Sequence, residues 1–265
     1  MEVVLSIAGS DPSAGAGIQQ DLKTITAHGC YGATVITSIT AQNTLGVQAA
    51  MPMPPEVVGQ QLRAVLSDLE PKAIKIGMLP DAEVAQVVVD ELRCYLEQHS
   101  VPVVYDPVMV STSGYPLMAP EAVQLVVSKL FPLCTLVTPN LPEANRLLQL
   151  IDKPIPSSFV QVAGETLSRY FGCAFLLKGG HADSPKMIDL LFECDGNVST
   201  FATERIATGN LHGTGCTLSS AIASNLALGH QLPDAVGQAK QFVTDAIRRA
   251  VNIRIGHGNG PLQMP

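Results

Sequence analysis

The sequence predicts an α/β fold with a mostly parallel central sheet, helices on both faces and a late antiparallel hairpin at the edge. Two observations carry this prediction. Short runs rich in apolar and β-branched residues alternate with longer segments whose apolar residues recur at helical spacing. The short runs are apolar almost throughout, which is typical of parallel strands because helices cover both faces of such a sheet.

The predicted elements follow one another in the order that βαβ units require. The predicted strands lie at 3–7, 34–40, 73–76, 101–105, 135–138 and 174–177. The predicted helices among them lie at 17–27, 56–69, 82–98, 121–130, 142–150 and 159–170. The pattern of alternating strands and helices then changes. Two strand-like runs at 187–193 and 198–202 flank Asp195-Gly196-Asn197, a turn sequence that predicts a hairpin. Helices at 214–228 and 233–252 complete the prediction of one domain over residues 1–265.

Composition argues against several classes of function. The 265 residues include 16 Lys and Arg against 23 Asp and Glu, which gives a net charge of −7. An acidic chain with 5% aromatic residues and no Trp is poorly suited to bind nucleic acid through phosphates or stacked bases. No apolar run approaches the roughly 18 residues that a membrane span needs. Glu2 and Gly9 also break the pattern of a signal peptide.

The sparse charge and the cysteines lead to two further expectations. Only 15% of the residues are charged, against about 25% in an average protein, which suggests a surface covered by a second subunit. Six cysteines are scattered without a Cys-x-x-Cys pair. This spacing argues against a disulfide framework or a zinc site, and it favours the reducing cytoplasm.

Ligands of open α/β sheets bind beyond the carboxyl ends of the strands, so the segments that follow the strands are the most informative. Residues 9–21 follow the first strand, are rich in small residues and enter a helix, where backbone N–H groups can approach a ligand. The dinucleotide fingerprint is missing, because neither its glycine order nor its acidic residue occurs. A loop that closes over a substrate and a flexible loop that merely enters a helix both remain open.

Gln42 follows the second strand within Thr40-Ala41-Gln42-Asn43-Thr44. Its amide offers both a donor and an acceptor, which suits the edge of a nitrogen heterocycle. A glutamine that faces solvent is equally consistent with the sequence.

Polar residues also follow the fourth, fifth and sixth strands. They are Asp106, then Asn140 and Glu143, and then Lys178 before Gly179-Gly180-His181. A hydrated Mg²⁺ binds through one or two carboxylates and the substrate phosphates, and a lysine beside glycines can reach a phosphate. Helix capping by Asn140 and Glu143 is the alternative interpretation. A structural role is the more common one for a residue such as His181.

The most specific local signal lies at 210–221, where Gly213-Thr214-Gly215 leads into a helix with Cys216 in its first turn. Free N–H groups and the positive end of the helix dipole would hold an anion there. The same field predicts a lowered pKa for the Cys216 thiol, which would make it a base or a nucleophile. Simple packing of a small apolar side chain is the alternative. No P-loop motif occurs in the sequence.

Taken in order, these segments resemble the hydroxymethylpyrimidine/phosphomethylpyrimidine kinases of thiamine biosynthesis, a branch of the ribokinase superfamily. The match is nearly end to end and includes Ile7-Ala8-Gly9-Ser10-Asp11, Lys75-Ile76-Gly77-Met78-Leu79, Asp106-Pro107-Val108-Met109 and His212-Gly213-Thr214-Gly215-Cys216-Thr217. The resemblance implies a ribokinase-like fold, a homodimer and a cytoplasmic enzyme. It also implies ATP-dependent phosphorylation of 4-amino-5-hydroxymethyl-2-methylpyrimidine, followed by phosphorylation of its monophosphate.

The resemblance further implies roles for individual residues. The anion hole for the transferred phosphoryl group would comprise Gly213, Thr214, Gly215 and Cys216, and Cys216 would take the proton from the attacking hydroxyl. The pyrimidine site would comprise Gly9, Asp21, Gln42, Met78 and Val108. The ATP and phosphate site would comprise Asp106, Thr138, Asn140, Glu143 and Lys178, with Asp106 and Glu143 organising Mg²⁺.

The chain departs from the family pattern at Leu211, where Thr is common, and at Ser13-Ala14-Gly15, where two glycines are common. The main alternative is a pyridoxal or pyridoxine kinase on the same scaffold, although the amide of Gln42 matches an aminopyrimidine better. Two alternatives from other classes are a non-catalytic sensor of a pyrimidine or nucleotide, and a thiol hydrolase that pairs Cys216 with His212.

Overall fold

The computed structural model describes residues 1–111, 114–155, 159–179 and 185–265, and a nine-stranded sheet forms its centre. The strands are β1 (Val3–Ser10), β2 (Tyr31–Asn43), β3 (Gly46–Pro52), β4 (Ala73–Ile76), β5 (Val103–Tyr105), β6 (Leu136–Val137), β7 (Ala174–Leu177), β8 (Lys186–Phe192) and β9 (Val198–Glu204). The helices are α1 (Gly17–Ala27), α2 (Pro55–Asp68), α3 (Ala82–Leu96), α4 (Pro120–Leu125), α5 (Leu141–Leu150), α6 (Val160–Phe171), α7 (Thr214–Ala227) and α8 (Leu232–Ala250).

The strand order is β3-β2-β1-β4-β5-β6-β7-β8-β9. Six neighbouring strands are mutually parallel, namely β2, β1, β4, β5, β6 and β7. Strand β3 runs antiparallel to β2 at one edge of the sheet, and the antiparallel β8–β9 hairpin forms the other edge. The parallel strands therefore all have their carboxyl ends at one edge of the sheet. Strands β2 and β3 lie on one side of β1, and the chain then continues with β4 on the other side of β1. This confirms the predicted mostly parallel fold with a late hairpin.

Two apolar cores lie on opposite faces of the sheet, and β4 shows how the sequence divides between them. Ile74 and Ile76 point into the larger core with α2 and α3, whereas Ala73 points into the core with α7 and α8. Lys75 lies between two isoleucines in this buried strand and has no exposed surface. Strand residues alternate between faces, so Lys75 lies on the same side as Ala73.

The predicted elements are confirmed, and the strands at 73–76 and 174–177 and the helix at 17–27 have their predicted limits. The helix predicted at 121–130 keeps α-helical geometry only through α4, and a wider π-helical turn continues it over Val126–Leu130. Strand β3 was not predicted. It is an edge strand with mostly exposed or half-buried residues, so it lacks the continuous apolar pattern that marks the buried strands.

No helix in the described ranges combines the length and the apolar character that crossing a membrane requires.

Candidate active site

A cavity of about 460 Å³ lies at the carboxyl ends of the parallel strands and reaches the start of α7. Its walls are formed by the loop after β1, the ends of β2 and β4, the segments after β5 and β7, and the turn before α7. The predicted site residues that line it are Gly9, Gln42, Met78, Asp106, Val108, Asn140, Glu143, Lys178, Gly213, Thr214, Gly215 and Cys216. The structure therefore brings together most of a set that is dispersed over more than two hundred residues of sequence.

Asp21 does not line the cavity, contrary to its predicted place in the pyrimidine site. It has no exposed surface. Its carboxylate accepts hydrogen bonds from Ser6 Oγ at 2.6 Å, Lys75 Nζ at 2.7 Å and Ser220 Oγ at 2.8 Å. Asp21 lies on the buried face of α1, so its carboxylate is used inside the protein.

Thr138 is likewise fully buried and does not line the cavity. Its hydroxyl donates a hydrogen bond to Asp106 Oδ1 at 3.2 Å. Its position after β6 turns it toward the neighbouring strand end. Thr138 was predicted to bind ATP, and in this structure it lies behind the cavity wall in contact with Asp106.

The turn before α7 depends on two glycines. Gly213 precedes the helix with φ +86°, and a Cβ there would lie 1.9 Å from the backbone oxygen of Gly15. A Cβ on Gly215 would lie 3.0 Å from Asp106 Oδ2. No side chain caps the N-terminus of α7. The first N–H groups of this helix are thus free of a side-chain cap beside the cavity, as an anion site requires.

Cys216 lies in the first turn of α7 and is partly exposed to the cavity. Burial raises the pKa of its thiol to about 11, and Lys75 opposes this effect. Asp21 and Asp106 raise the pKa further, while the backbone N–H of Gly17 lowers it by a hydrogen bond to the sulfur. The predicted lowering of this pKa by the helix dipole is therefore wrong, because desolvation and two carboxylates outweigh the favourable terms.

A half-buried lysine and two buried carboxylates lie at the strand ends near the start of α7. Lys178 Nζ is 2.6 Å from Asp106 Oδ1. Burial disfavours the Lys178 ammonium, but Asp106 and Glu143 more than compensate and raise its pKa. Burial also raises the pKa of Glu143, against the opposing charge of Lys178. Sequence reasoning named all three residues, and the structure places them on one wall of the cavity.

Asn140 and Glu143 also cap α5, which was the alternative interpretation of these residues. The Asn140 side chain accepts a hydrogen bond from the Glu143 N–H at 2.9 Å, and Glu143 Oε2 accepts one from the Asn140 N–H at 2.8 Å. This reciprocal pair is a capping box. Because both residues line the cavity, the interpretations as cap and as site residue are compatible.

Gln42 and Met78 mark the other end of the cavity. Thr40 Oγ1 lies 3.3 Å from Gln42 Oε1, and the Gln42 amide nitrogen lies 3.3 Å from His212 Nε2. The same His212 atom is 2.9 Å from Asp11 Oδ2. A Cβ on Gly9 would lie 2.9 Å from the Met78 sulfur, so this wall is closely packed. Gln42 is half-buried, which excludes a fully solvent-facing position.

Sequence reasoning did not select several charged residues that line the cavity, and three of them have well-defined partners. Lys240 Nζ pairs with Asp189 Oδ2 at 2.6 Å, and Asp189 Oδ1 accepts a hydrogen bond from the Gly179 N–H at 2.9 Å. Lys75 is the third, and its signal was visible as a charge inside the apolar run Ala73-Ile74-Lys75-Ile76. Gly180 and His181 lie outside the described residues.

Fold and cavity together define an α/β enzyme that places a thiol and an anion-binding helix start beside a carboxylate–lysine cluster. The Phosphomethylpyrimidine kinase family model matches residues 11–263. The hydroxymethylpyrimidine/phosphomethylpyrimidine kinase of Rhizobium meliloti (strain 1021) is 46% identical, over 98% of this chain and 96% of that protein. The chain therefore belongs to the phosphomethylpyrimidine kinase family, and it is a phosphotransferase.

Solved structures agree with this assignment. The phosphomethylpyrimidine kinase of Clostridium difficile 630 has a TM-score of 0.79 and 40% identity, over 93% of this chain and 100% of that chain. Pyridoxal kinase from Staphylococcus aureus in complex with AMP-PCP and pyridoxal has a TM-score of 0.85 and 33% identity, over 99% of this chain and 93% of that chain. The fold is thus the ribokinase-like fold that the sequence resemblance implies.

Proposed function

We propose that this enzyme uses ATP to phosphorylate 4-amino-5-hydroxymethyl-2-methylpyrimidine and then to phosphorylate the monophosphate to the diphosphate. The observation that carries the proposal is one cavity that is lined by Gln42, by Cys216 and the start of α7, and by Lys178. Gln42 contacts His212 just before α7, whereas a Cβ on Gly215, inside the first turn of α7, would lie 3.6 Å from Lys178 Nζ. This order suits a small heterocycle, a transferred phosphoryl group and a polyphosphate, respectively. The family match and the ATP-analogue complex of the S. aureus relative support the use of ATP.

In this proposal the Cys216 thiolate takes the proton from the substrate hydroxyl as its oxygen bonds to the γ-phosphorus and the bond to ADP breaks. The N–H groups of Gly213 and Gly215 stabilise the charge on the transferred phosphoryl group, whereas the N–H of Thr214 donates to the Leu211 carbonyl at 3.3 Å and supports the turn. Gln42, Gly9, Met78 and Val108 orient the pyrimidine ring. Lys178 and Asn140 face the polyphosphate, while Thr138 and Asp21 support the site from behind it.

The cavity residues fit a hydrated Mg²⁺, because Asp106 and Glu143 present carboxylates on one wall. Asp106 Oδ1 is already bound by Lys178 and Thr138, and Glu143 Oε2 by the Asn140 N–H. Asp106 and Glu143 would be the residues that hold the ion beside the polyphosphate. When bound, Mg²⁺ neutralises charge on the polyphosphate.

A pyridoxal kinase is the second candidate function, because the S. aureus pyridoxal kinase shares this fold over nearly its full length. The deciding experiment compares ADP release with Mg-ATP and each of three alcohols: the pyrimidine, its monophosphate and pyridoxal. We expect the pyrimidine and its monophosphate to give higher kcat/KM values than pyridoxal. Preference for pyridoxal, or no ADP release with any of them, would contradict the proposal.

A homodimer of single-domain subunits, each spanning residues 1–265, completes the proposal, together with a cytoplasmic location. Exposed apolar side chains support the dimer, since Leu45 and Met51 are 67% and 61% exposed beside the open edge formed by β3. An apolar edge of this kind is usually covered by another surface. The mass in solution, measured by light scattering, would test the dimer, and Leu45→Asp should shift it to the monomer mass.

A further inference from the structure

A buried ion pair connects the centre of the sheet to α7. Lys75 in β4 and Asp21 in α1 have no exposed side-chain surface, and the Nζ–Oδ2 distance is 2.7 Å. Ser6 in β1 donates to the same carboxylate oxygen, and Ser220 in α7 donates to the other. Three donors from three elements thus fix the Asp21 carboxylate, and the carboxylate in turn fixes the position of the ammonium.

The Lys75 ammonium has more donors than Asp21 uses. An ammonium carries three N–H bonds, and among the described residues Asp21 is the hydrogen-bond partner that Lys75 contacts. Lys75 lines the cavity, whereas Asp21 does not. Burying a cation costs free energy when some of its N–H groups lack an acceptor, unless a negative charge on the cavity side stabilises it. The arrangement therefore calls for an anion in the cavity close to Lys75.

Cys216 is the group that meets this requirement. It lines the same cavity, and its helix packs on β4 with Ala221 and Ala73 in one core. The charged groups that act on it are Lys75 from β4, Asp21 from α1, Asp106 after β5 and Lys178 after β7. Lys75 has the largest effect of these on the pKa of the thiol, and it favours the thiolate.

Lys75 is not itself a proton acceptor. Burial alone would lower its pKa, but Asp21, Cys216 and Asp106 raise it above the ordinary value. The side chain therefore stays charged at neutral pH, and its charge is available to a neighbouring anion.

We propose that Lys75, anchored by Asp21, is a positioning residue that stabilises the Cys216 thiolate next to the substrate hydroxyl. This inference rests on the proposed function, in which that thiolate is the base. Asp21 has two opposing effects: it anchors the ammonium, and its own negative charge disfavours the thiolate. Removing the cation and removing the carboxylate should therefore change the thiol in opposite directions, which a merely structural ion pair would not do.

The test is the rate at which iodoacetamide alkylates Cys216 in the ligand-free enzyme at pH 8, followed on the Cys216 peptide by mass spectrometry. Iodoacetamide is uncharged, so local charge does not alter its approach. A rise of about 1 in the pKa of the thiol leaves about tenfold less thiolate, but the remaining thiolate is more nucleophilic, so alkylation slows about threefold.

We expect Lys75→Met to slow alkylation by about threefold or more and Asp21→Asn to accelerate it by a similar factor. Lys72→Met, which removes an exposed lysine just before β4, is the matched control and should leave the rate unchanged. Equal or faster alkylation in Lys75→Met, or slower alkylation in Asp21→Asn, would overturn the inference.

Lys75→Met leaves Asp21 as a buried carboxylate without its cation, so the double variant Lys75→Met/Asp21→Asn covers the case in which the single variant unfolds. Because Lys75 acts on the thiol more strongly than Asp21 does, the double variant should be alkylated more slowly than the native enzyme, and an unchanged or faster rate would contradict the inference. The readout needs neither ATP nor pyrimidine. A native enzyme without kinase activity would contradict the proposed function, while these rates would still decide the inference about Lys75.

Discussion

His212 Nε2 lies 2.9 Å from Asp11 Oδ2, so the turn before α7 is joined to the loop after β1 across 201 positions of sequence. Asp11 also accepts hydrogen bonds from the Ser13 N–H and hydroxyl and from the Ala16 N–H. One carboxylate therefore shapes the loop over the cavity and fixes it to the segment that contains the anion site.

This relationship predicts a pH-dependent loss of stability in Asp11→Asn. Burial raises the pKa of Asp11, but the His212 and Ser13 hydrogen bonds outweigh it and lower the pKa below 3.8. A lowered carboxyl pKa stabilises the fold at neutral pH, and this contribution is lost as the pH falls below about 4. We expect the variant to lose about 1.5–3 kcal/mol at pH 7, measured by urea unfolding.

The control is Asp68→Asn, which changes an exposed aspartate at the end of α2. It should match the native protein at every pH. A stability difference for Asp11→Asn that stays constant down to pH 3 would show that the charge of Asp11 is not what matters.

Replacing Cys216 tests its role as base. Cys216→Ala should lower kcat by about 10²- to 10⁴-fold, while the Kd of the pyrimidine, measured by calorimetry, changes little because the ring contacts lie at the Gln42 end. Cys134→Ala, which removes a buried thiol two residues before β6, is the control and should retain kcat. Near-native turnover of Cys216→Ala would exclude the base role.

The raised pKa of Cys216 predicts the pH dependence of catalysis. Because that pKa is about 11, the thiolate fraction grows about tenfold per pH unit through the neutral range. The quantity kcat/KM for the pyrimidine should therefore rise steadily from pH 6.5 to 9. A plateau that begins near pH 7 would mean that a different group provides the base.

A comparison of Gly213→Ala with Gly229→Ala separates the effect of a close contact at the Cβ position from the effect of a left-handed backbone. Both Gly213 and Gly229 have left-handed backbones, with φ +86° and +89°, but a Cβ on Gly229 meets nothing within 4 Å. Gly229→Ala should cost about 1–2 kcal/mol of stability and keep activity. Gly213→Ala must displace Gly15 as well, so we expect a larger loss of stability, seen as a lower Tm, and a loss of kcat. Equal behaviour of the two variants would contradict this account of the turn.

Gln42 should determine which ring the enzyme accepts. A paired donor and acceptor contributes about 1–3 kcal/mol to recognition, so Gln42→Ala should lower kcat/KM for the aminopyrimidine about 10- to 100-fold and affect pyridoxal less. Gln48→Ala, at an exposed position of β3, should change neither value. Equal losses for the two substrates in Gln42→Ala would remove Gln42 as the selective residue.

The sequence was sufficient to predict the buried elements because burial imposes a visible pattern on them. The strand at 73–76 is apolar except for Lys75, and its limits were recovered. Strand β3 was missed because its pairing to β2, not its own composition, makes it a strand. The π-helical turn after α4 was missed for a similar reason, since its residues also suit an ordinary helix.

The site was predictable where chemistry follows a strand end, as at Asp106, Lys178 and Cys216. Sequence position could not distinguish a residue that faces the cavity from one that faces the core, so Asp21 was assigned to the substrate. The pKa of Cys216 was mispredicted because the helix start is visible in the sequence, whereas the buried carboxylates Asp21 and Asp106 come from distant segments.

The sheet order has a consequence for how the molecule folds. From β5 to β9, each strand pairs with the strand that precedes it in the chain, so most of the sheet can form through contacts of short sequence separation, which are fast to make. Helix α7 is different, because it follows the final hairpin and returns to α1, with Ser220 bonded to Asp21 across 199 positions. Closing so long a loop carries an entropic cost that the sheet must already offset. The catalytic centre is therefore expected to assemble after the sheet, and a partly folded chain would have a core before it has a working active site.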